Sequence, residues 1–289
     1  MQTDLFGKNR YKVNLHMHTN MSDGRKTPEE AIRLYKANGY DALSLADHWV
    51  WNQDSAFIGV TLLSGAEYNC GGSDCRNGVF HIVAVGCQKA PAINKHMDAQ
   101  EMIDAIHQAD GLAILAHPAW SLNTPQAILA LQGIDAIEIY NSTSACHHSR
   151  RPDASLIVDM LAAEGRYYPL IAADDTHYYD GKDDCKSFIM VEAEDASPTS
   201  LKKAIKAGRF YATQGPEVHL TKEGNEFVAR TSPASSIVFL SNYVWSKRSF
   251  EGDGITEARY TPREGERFIR VVVEDKNGKQ AWSNIIPLS

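Results

Sequence analysis

Eight short apolar runs, spaced by segments with helical punctuation, constrain the fold of this chain more than any other feature of its sequence. KVNLH (12–16), ALSLA (42–46), VTLLSGA (60–66), VFHIVAVG (79–86), LAILA (112–116), AIEIY (136–140), PLIAA (169–173) and SFIMVE (187–192) occupy the first two-thirds of the sequence. Most are apolar without alternation, the pattern of strands buried on both faces. Several are separated by segments built to be helices. TPEEAIRLYKANG (27–39) opens with Thr27 as N-cap, Pro28 at the first helical position and Glu30 at the third, and closes on Gly39. AQEMIDAIHQADG (99–111) and DASLIVDMLAAEG (153–165) also close on glycine, and SPTSLKKAIKAGRF (197–210) reads as one last helix. Strand, helix, strand, repeated, predicts parallel βα units of an α/β barrel or barrel-like sheet.

The texture changes near residue 210. From there the chain alternates short strand patterns (EVHLTK, EFVART, SSIVFLSN, ARYTP, RFIRVVVED, QAWSNIIPL) with turns such as KEGN, PREGE and DKNGK. Asn277-Gly278 is a strong hairpin signal. The expectation is a barrel over 1–211 followed by a small all-β, sandwich-like domain over 212–289. Trp245 and Trp282 are expected in the packing of that tail.

A net charge of −7, with no Lys/Arg run, argues against nucleic-acid polymers and acidic membrane surfaces and favours a small-molecule partner. The first residues, MQTDLFGKNRYKVNLH, hold no apolar stretch of signal-peptide or membrane-span length, so a cytoplasmic location is expected. Five scattered cysteines suit reduced thiols. Cys70 and Cys75 in CGGSDC read as thiols of a glycine-rich loop, because no second pair completes a metal knuckle. Oligomeric state is not written in the sequence.

Six of the eleven histidines (His16, His18, His48, His81, His117, His177) stand on a strand candidate or just beyond its end. In parallel α/β folds that rim is where loops from several strands converge. His16 and His18 are two apart in an extended segment and share one side of it; Asp175 and His177 repeat the spacing with a carboxylate. Imidazole and carboxylate without thiolate suit Zn, Mn or Fe. Glu67 follows an apolar run and has two oxygens with which to bridge two ions. Asp23 precedes a glycine and fits a turn as well as a ligand. Asp47 and His48 diverge as neighbours, and His48 is the better candidate ligand.

HMHTNMSDG (16–24), ADH (46–48), GAEYN (65–69), AHP (116–118), IEIYN (137–141) and DDTH (174–177), in this order, resemble the motifs of the PHP (polymerase and histidinol phosphatase) family. The resemblance runs through about residues 11–192. It implies a distorted (β/α)7 barrel holding two or three divalent cations and hydrolysing phosphoesters. It places His16, His18, Glu67 and Asp175 around one ion, Glu67, His81 and His117 around a second, and Asp23, His48 and His177 around a third. Two departures stand out: Asp174 replaces a small residue beside Asp175, and no long insertion is present to form a nucleic-acid channel. The stretch SLKKAIKAGRFYATQGP and the β-rich tail also resemble the carbaryl-hydrolase-like branch of the family.

The expected reaction is hydrolysis of a small phosphate ester, of nucleotide or sugar-phosphate type, by a hydroxide bridging two or more metals. His147 or His148 is a candidate to protonate the leaving oxygen, and Arg150 or Arg151 to clamp the phosphate, all from the loop after IEIYN. Glu138 and Asn141 are expected to orient ligands. The tail resemblance leaves open a hydrolase of carbamates, esters or amides. A third alternative is a metal-loaded scaffold that presents the tail as a binding module.

Overall fold

In the computed structural model, residues 1–72, 76–245 and 247–288 are described. Cys75 lies outside them, so the reading of the Cys70–Cys75 loop is not addressed by the structure.

The apolar runs form strands β1 (Asn9–Asn14), β2 (Ala42–Ser44), β3 (Val60–Leu63), β4 (Gly65–Cys70), β5 (Phe80–Val85), β6 (Leu112–Leu115), β7 (Ala136–Asn141), β8 (Leu170–Ala173) and β9 (Phe188–Val191). Helix α1 (Pro28–Ala37) follows β1, α2 (Ala99–Gln108) follows β5, α3 (Pro125–Leu129) follows β6, α4 (Ser155–Ala163) follows β7, and α5 (Pro198–Lys206) follows β9. The capping box of α1 is formed as its sequence foretells. Thr27 Oγ1 accepts from the Glu30 amide, and the Glu30 carboxylate accepts from the Thr27 amide.

The closed (β/α)7 barrel is not what the hydrogen bonds draw. They define two open sheets. One runs β8-β7-β6-β5-β4, and in the other β1, β2 and β3 are neighbours. The alternation fails between residues 60 and 85, where β3, β4 and β5 succeed one another with no helix among the described residues between them. β4 pairs antiparallel with β5, and β5 with β6. Only nine residues separate Cys70 from Phe80, too few for the crossover of about a dozen that a parallel pair needs. The two sheets meet at isolated bridges, among them His48 with Glu67 and Met17 with Thr176. Because β5 runs backwards, its first residues share a rim with the last residues of β4 and β6. This puts His81 beside Glu67.

The tail comprises β10 (Phe210–Thr213), β11 (Val218–Glu223), the long β12 (Glu226–Leu240) and β13 (Ser249–Tyr260), then β14 (Phe268–Glu274) and β15 (Gln280–Trp282). EFVART and SSIVFLSN, read as two strands, are one strand bent by irregular register. The tail continues the sheet of β1, β2 and β3 in the order β11-β12-β14-β15-β10-β9-β1-β2-β3, with β13 on β12. The join is β15, antiparallel to β14 on one side and β10 on the other. Asn277-Gly278 makes the turn before it, with Gly278 at φ +74°.

Alternation in β9 and β10 explains the docking. Ile189, Val191 and Ala212 belong to one core cluster with the strands of the first two-thirds, whereas Phe188, Met190 and Tyr211 face the other way. Those three share a second cluster with Phe227, Ile237 and Phe239 of the tail. Trp282 is fully buried and stacks on Tyr140 at 5.3 Å. Trp245 corrects the expectation of packing, being 87% exposed.

Candidate metal centre

Nine side chains from seven segments converge where β1, β2, β4, β6 and β8 end. His16 and His18 follow β1, His48 follows β2, Glu67 lies on β4, His81 opens β5, His117 follows β6, and Asp175 and His177 follow β8. Asp23 comes from the turn before α1. His16 Nε2 and His18 Nε2 are 3.1 Å apart. Glu67 Oε2 lies 3.3 and 3.2 Å from them, and Asp175 Oδ1 3.1 and 3.0 Å. Ligands at about 2.0 Å around a tetrahedral centre are separated by about 3.3 Å, so these five spacings suit one small cation. Glu67 Oε2 and Asp175 Oδ1 are buried and accept no hydrogen bond. An unbonded buried carboxylate oxygen is costly unless something positive meets it.

Glu67 Oε1 turns the other way, 2.8 Å from His81 Nδ1 and 3.2 Å from His117 Nε2. His48 Nδ1, also without a hydrogen-bond partner, is 3.1 Å from Glu67 Oε2. Asp23, the most exposed of the set, lies 3.4 Å from His177 Nε2, 3.7 Å from His18 Nδ1 and 3.8 Å from His48 Nε2. The donor atoms of His16, His18, Glu67 and Asp175 therefore cluster, as do those of His18, Asp23, His48 and His177, and those of His48, Glu67 and His81. Oxygen and imidazole donors at these spacings fit divalent cations.

The concentrated negative charge is visible in the titration of the cluster. Burial disfavours a charged His16, yet Asp175, Glu67 and Glu138 drive its pKa well above the ordinary imidazole range. Burial likewise opposes charge on His177, but Asp175 and Asp23 raise it to about 9. Glu67 and Asp175 are held well below the carboxylate range by the imidazoles, in spite of burial.

A second layer fixes these groups. Glu138 Oε1 accepts from His16 Nδ1 at 2.7 Å, leaving Nε2 to face the cluster. Glu138 Oε2 accepts from the His117 amide and from Asn141 Nδ2, which also donates to Asp175 Oδ2. Ser121 Oγ lies 3.0 Å from His117 Nδ1. Asp47 holds the loop that carries Asp23, accepting from the Thr19 amide and from the hydroxyls of Thr19 and Ser22. Asp174 sits behind Asp175 and accepts from Tyr35, Ser142 and the amides of Lys186 and Ser187. Burial pushes its pKa up to about 6. Asp183 accepts from the amides of His177, Tyr178 and Tyr179. Sequence reading missed Asp183 and the bracing role of Asp47. Their partners are distant in the chain or are backbone amides, which no motif spells out.

A cavity of 280 Å³ opens above the cluster, lined also by Trp120, Thr143, Ser144, His148 and Tyr178. His148 stands at its mouth, its ring 5.4 Å from that of Tyr178. His147 and Arg150 are exposed on the same loop and are not among the residues lining the cavity. Trp120, edge-on to His117 at 5.1 Å, carried no sequence signal. Arg25, whose guanidinium lies 4.9 Å from the Tyr178 ring centre, was likewise silent.

No protein-family model and no curated protein sequence matches the chain. Solved structures do. A two-domain protein from Bacteroides vulgatus containing a predicted PHP-like metal-dependent phosphoesterase superposes with a TM-score of 0.56 at 14% identity, over 100% of this chain and 97% of that one. The fold is thus PHP-like. Endonuclease Q from Pyrococcus furiosus aligns at 15% identity and TM-score 0.47, over 69% of this chain and 56% of that one. An Endonuclease Q bound to a 27-mer duplex with an abasic lesion aligns at 16% and 0.49, over 69% and 57%. The expectation that no nucleic-acid polymer binds is corrected on this point. Among the described residues no helix is long and apolar enough to cross a membrane.

Proposed function

We propose that this chain is a metal-dependent hydrolase of phosphate esters, with the PHP-like portion over 1–211 carrying the site and the β-rich portion over 212–289 docked against it. The observation that carries the reading is the convergence of four donor atoms, from His16, His18, Glu67 and Asp175, two of them buried carboxylate oxygens with no hydrogen bond. In this reading His16, His18, Glu67 and Asp175 hold one divalent ion, Glu67, His81 and His117 a second, and Asp23, His48 and His177 a third. Such ions, when bound, supply Lewis acidity to a phosphoryl oxygen and lower the pKa of water near it.

The protein's own part is geometric. Glu138 fixes the His16 ring and the His117 backbone, and Asn141 steadies Asp175. Water attacks phosphorus as the bond to the ester oxygen breaks. We assign to His148, at the cavity mouth, the proton that the leaving oxygen takes up. The imidazole regains a proton from solvent, since its loop is exposed.

The test is a panel of phosphomonoesters, phosphodiesters and carbamates offered to metal-stripped protein reloaded with Mn or Zn. Phosphoester turnover that disappears in the His16→Ala/His18→Ala variant is the expected result. Turnover of carbamates alone, or phosphoester turnover that survives in that variant, would overturn the proposal.

A further inference from the structure

The cavity over the metal cluster is small. At 280 Å³ it falls just short of the range of about 300–1,000 Å³ typical of ligand pockets. An ester with a bulky leaving group extends beyond it. A groove of 830 Å³ lies alongside, lined by Trp49, Asn69, Arg76, Phe80, Lys95 and Asp98 among others. Its lining residues neighbour those of the cluster in the chain and on the sheet. Trp49 follows His48, and Asn69 lies two residues beyond Glu67 on the same face of β4. Asn69 is also paired in register with His81.

The groove wall is built, not incidental. Trp49 adopts φ +61°, an unfavourable conformation for a bulky residue that persists only when its surroundings hold it. Its amide donates to the Glu67 carbonyl at 3.0 Å and its indole Nε1 to Asn69 Oδ1 at 2.8 Å, so the ring is set by the strand that carries Glu67. The residues just after Arg76 are clamped as well. Asn123 Nδ2 donates to the carbonyls of Asn77 and Val79. Gly78 packs so closely on Ser121 that a Cβ would lie 1.9 Å from its carbonyl oxygen. Ser121 is the residue that holds His117, so groove and cluster share one frame.

The groove is cationic. Arg76 and Lys95 form no ion pair with any described residue, and the Lys95 ammonium stands 5.8 Å from the Trp49 ring centre. Among the described lining residues the one carboxylate, Asp98, caps α2 and accepts from the Glu101 amide. In a chain of net charge −7, two cations without an ion-pair partner among the described residues, beside a fixed aromatic ring, form a place for an anion with a flat or apolar body.

We propose that this groove receives the leaving group, and that Arg76 and Lys95 select esters whose leaving group carries its own negative charge. This rests on the phosphoester reading above. Two substrates that differ by one charge test it: phenyl phosphate and 3-carboxyphenyl phosphate, followed by phosphate release with the metal-loaded full chain. The carboxylated ester is expected to have the higher kcat/KM. The Arg76→Ala/Lys95→Ala variant, both positions exposed, should lower that value about tenfold while leaving phenyl phosphate nearly unchanged. Equal rates for the two esters, or an equal loss on both, would overturn the proposal.

Calorimetric titration of metal-free protein with 3-hydroxybenzoate and with phenol separates this inference from the one beneath it. If neither ester is turned over and the wider panel shows no phosphoester turnover either, the phosphoester reading fails. Tighter binding of the carboxylate that is lost in the double variant then still supports the groove, and equal binding of the two phenols refutes it.

Discussion

Glu138 touches none of the atoms proposed to meet a cation, yet three groups of the site take their orientation from its two oxygens: the His16 ring, the His117 amide and the Asn141 side chain. Glu138→Ala is expected to weaken metal binding about 10- to 100-fold, as losses behind a ligand do. Competition with a fluorescent chelator measures it; an unchanged affinity would contradict the role given to Glu138. Gly24 plays a different part. A Cβ there would lie 2.4 Å from the His18 carbonyl oxygen and 2.8 Å from the Thr19 amide, backbone atoms that cannot swing aside. Gly24→Ala should therefore cost about 1–3 kcal/mol in a urea unfolding experiment, the range for forced overpacking. Most of the convergent set was legible at this scale because six histidines gathered at strand ends are hard to explain by packing, whereas one alone, or a single period-two pair, is weak evidence. Asp47 was not. It was weighed only as a rival ligand to His48, whereas its carboxylate is taken up by Thr19, Ser22 and Asn52, partners that only the folded loop brings near.

Helix α1 is the element whose sequence and structure agree most closely, because its instructions are local: Thr27, Pro28 and Glu30 act within four residues of one another. Thr27→Ala should lower stability by about 1 kcal/mol, read as a shifted denaturation midpoint. A null effect would mean that packing of Ile32 and Tyr35 alone sustains the first turn. Strand direction was the harder matter. VTLLSGA and VFHIVAVG look like any other buried strand, and an apolar run carries no sign of whether its neighbour runs with it or against it. The shortness of the 71–79 connection was the available clue. Helix α3, five residues long, offered too little periodicity to register.

At the scale of the whole molecule, one ion pair ties the two portions of the chain together. Arg270 of β14 is wholly buried, and its Nε and Nη2 meet the two oxygens of Asp159 on α4 at 2.6 and 2.8 Å. Asp159→Ala would leave that guanidinium buried and unpaired, which costs about 3–5 kcal/mol. Urea unfolding gives the magnitude, and earlier cleavage of the tail by a protease would show where the loosening starts. Stability equal to that of the unaltered chain would mean the pair is dispensable. The change of texture near residue 210 announced a tail. It did not announce the apolar outer face of β9 and β10, since Phe188, Met190 and Tyr211 sit in runs that read as evenly buried.

The three residues of β15 have a consequence for how such a molecule is made. Among the described residues they alone link the facing edges of β10 and β14, and they come 67 residues after the last residue of β10 is laid down, by the positions Thr213 and Gln280. During synthesis, a ribosome that has already released the metal-binding portion still holds the strand that seals it. For that interval β10 presents a bare edge, able to recruit another nascent chain as readily as its own. Any change that slows translation or folding between residues 213 and 280 lengthens that exposure.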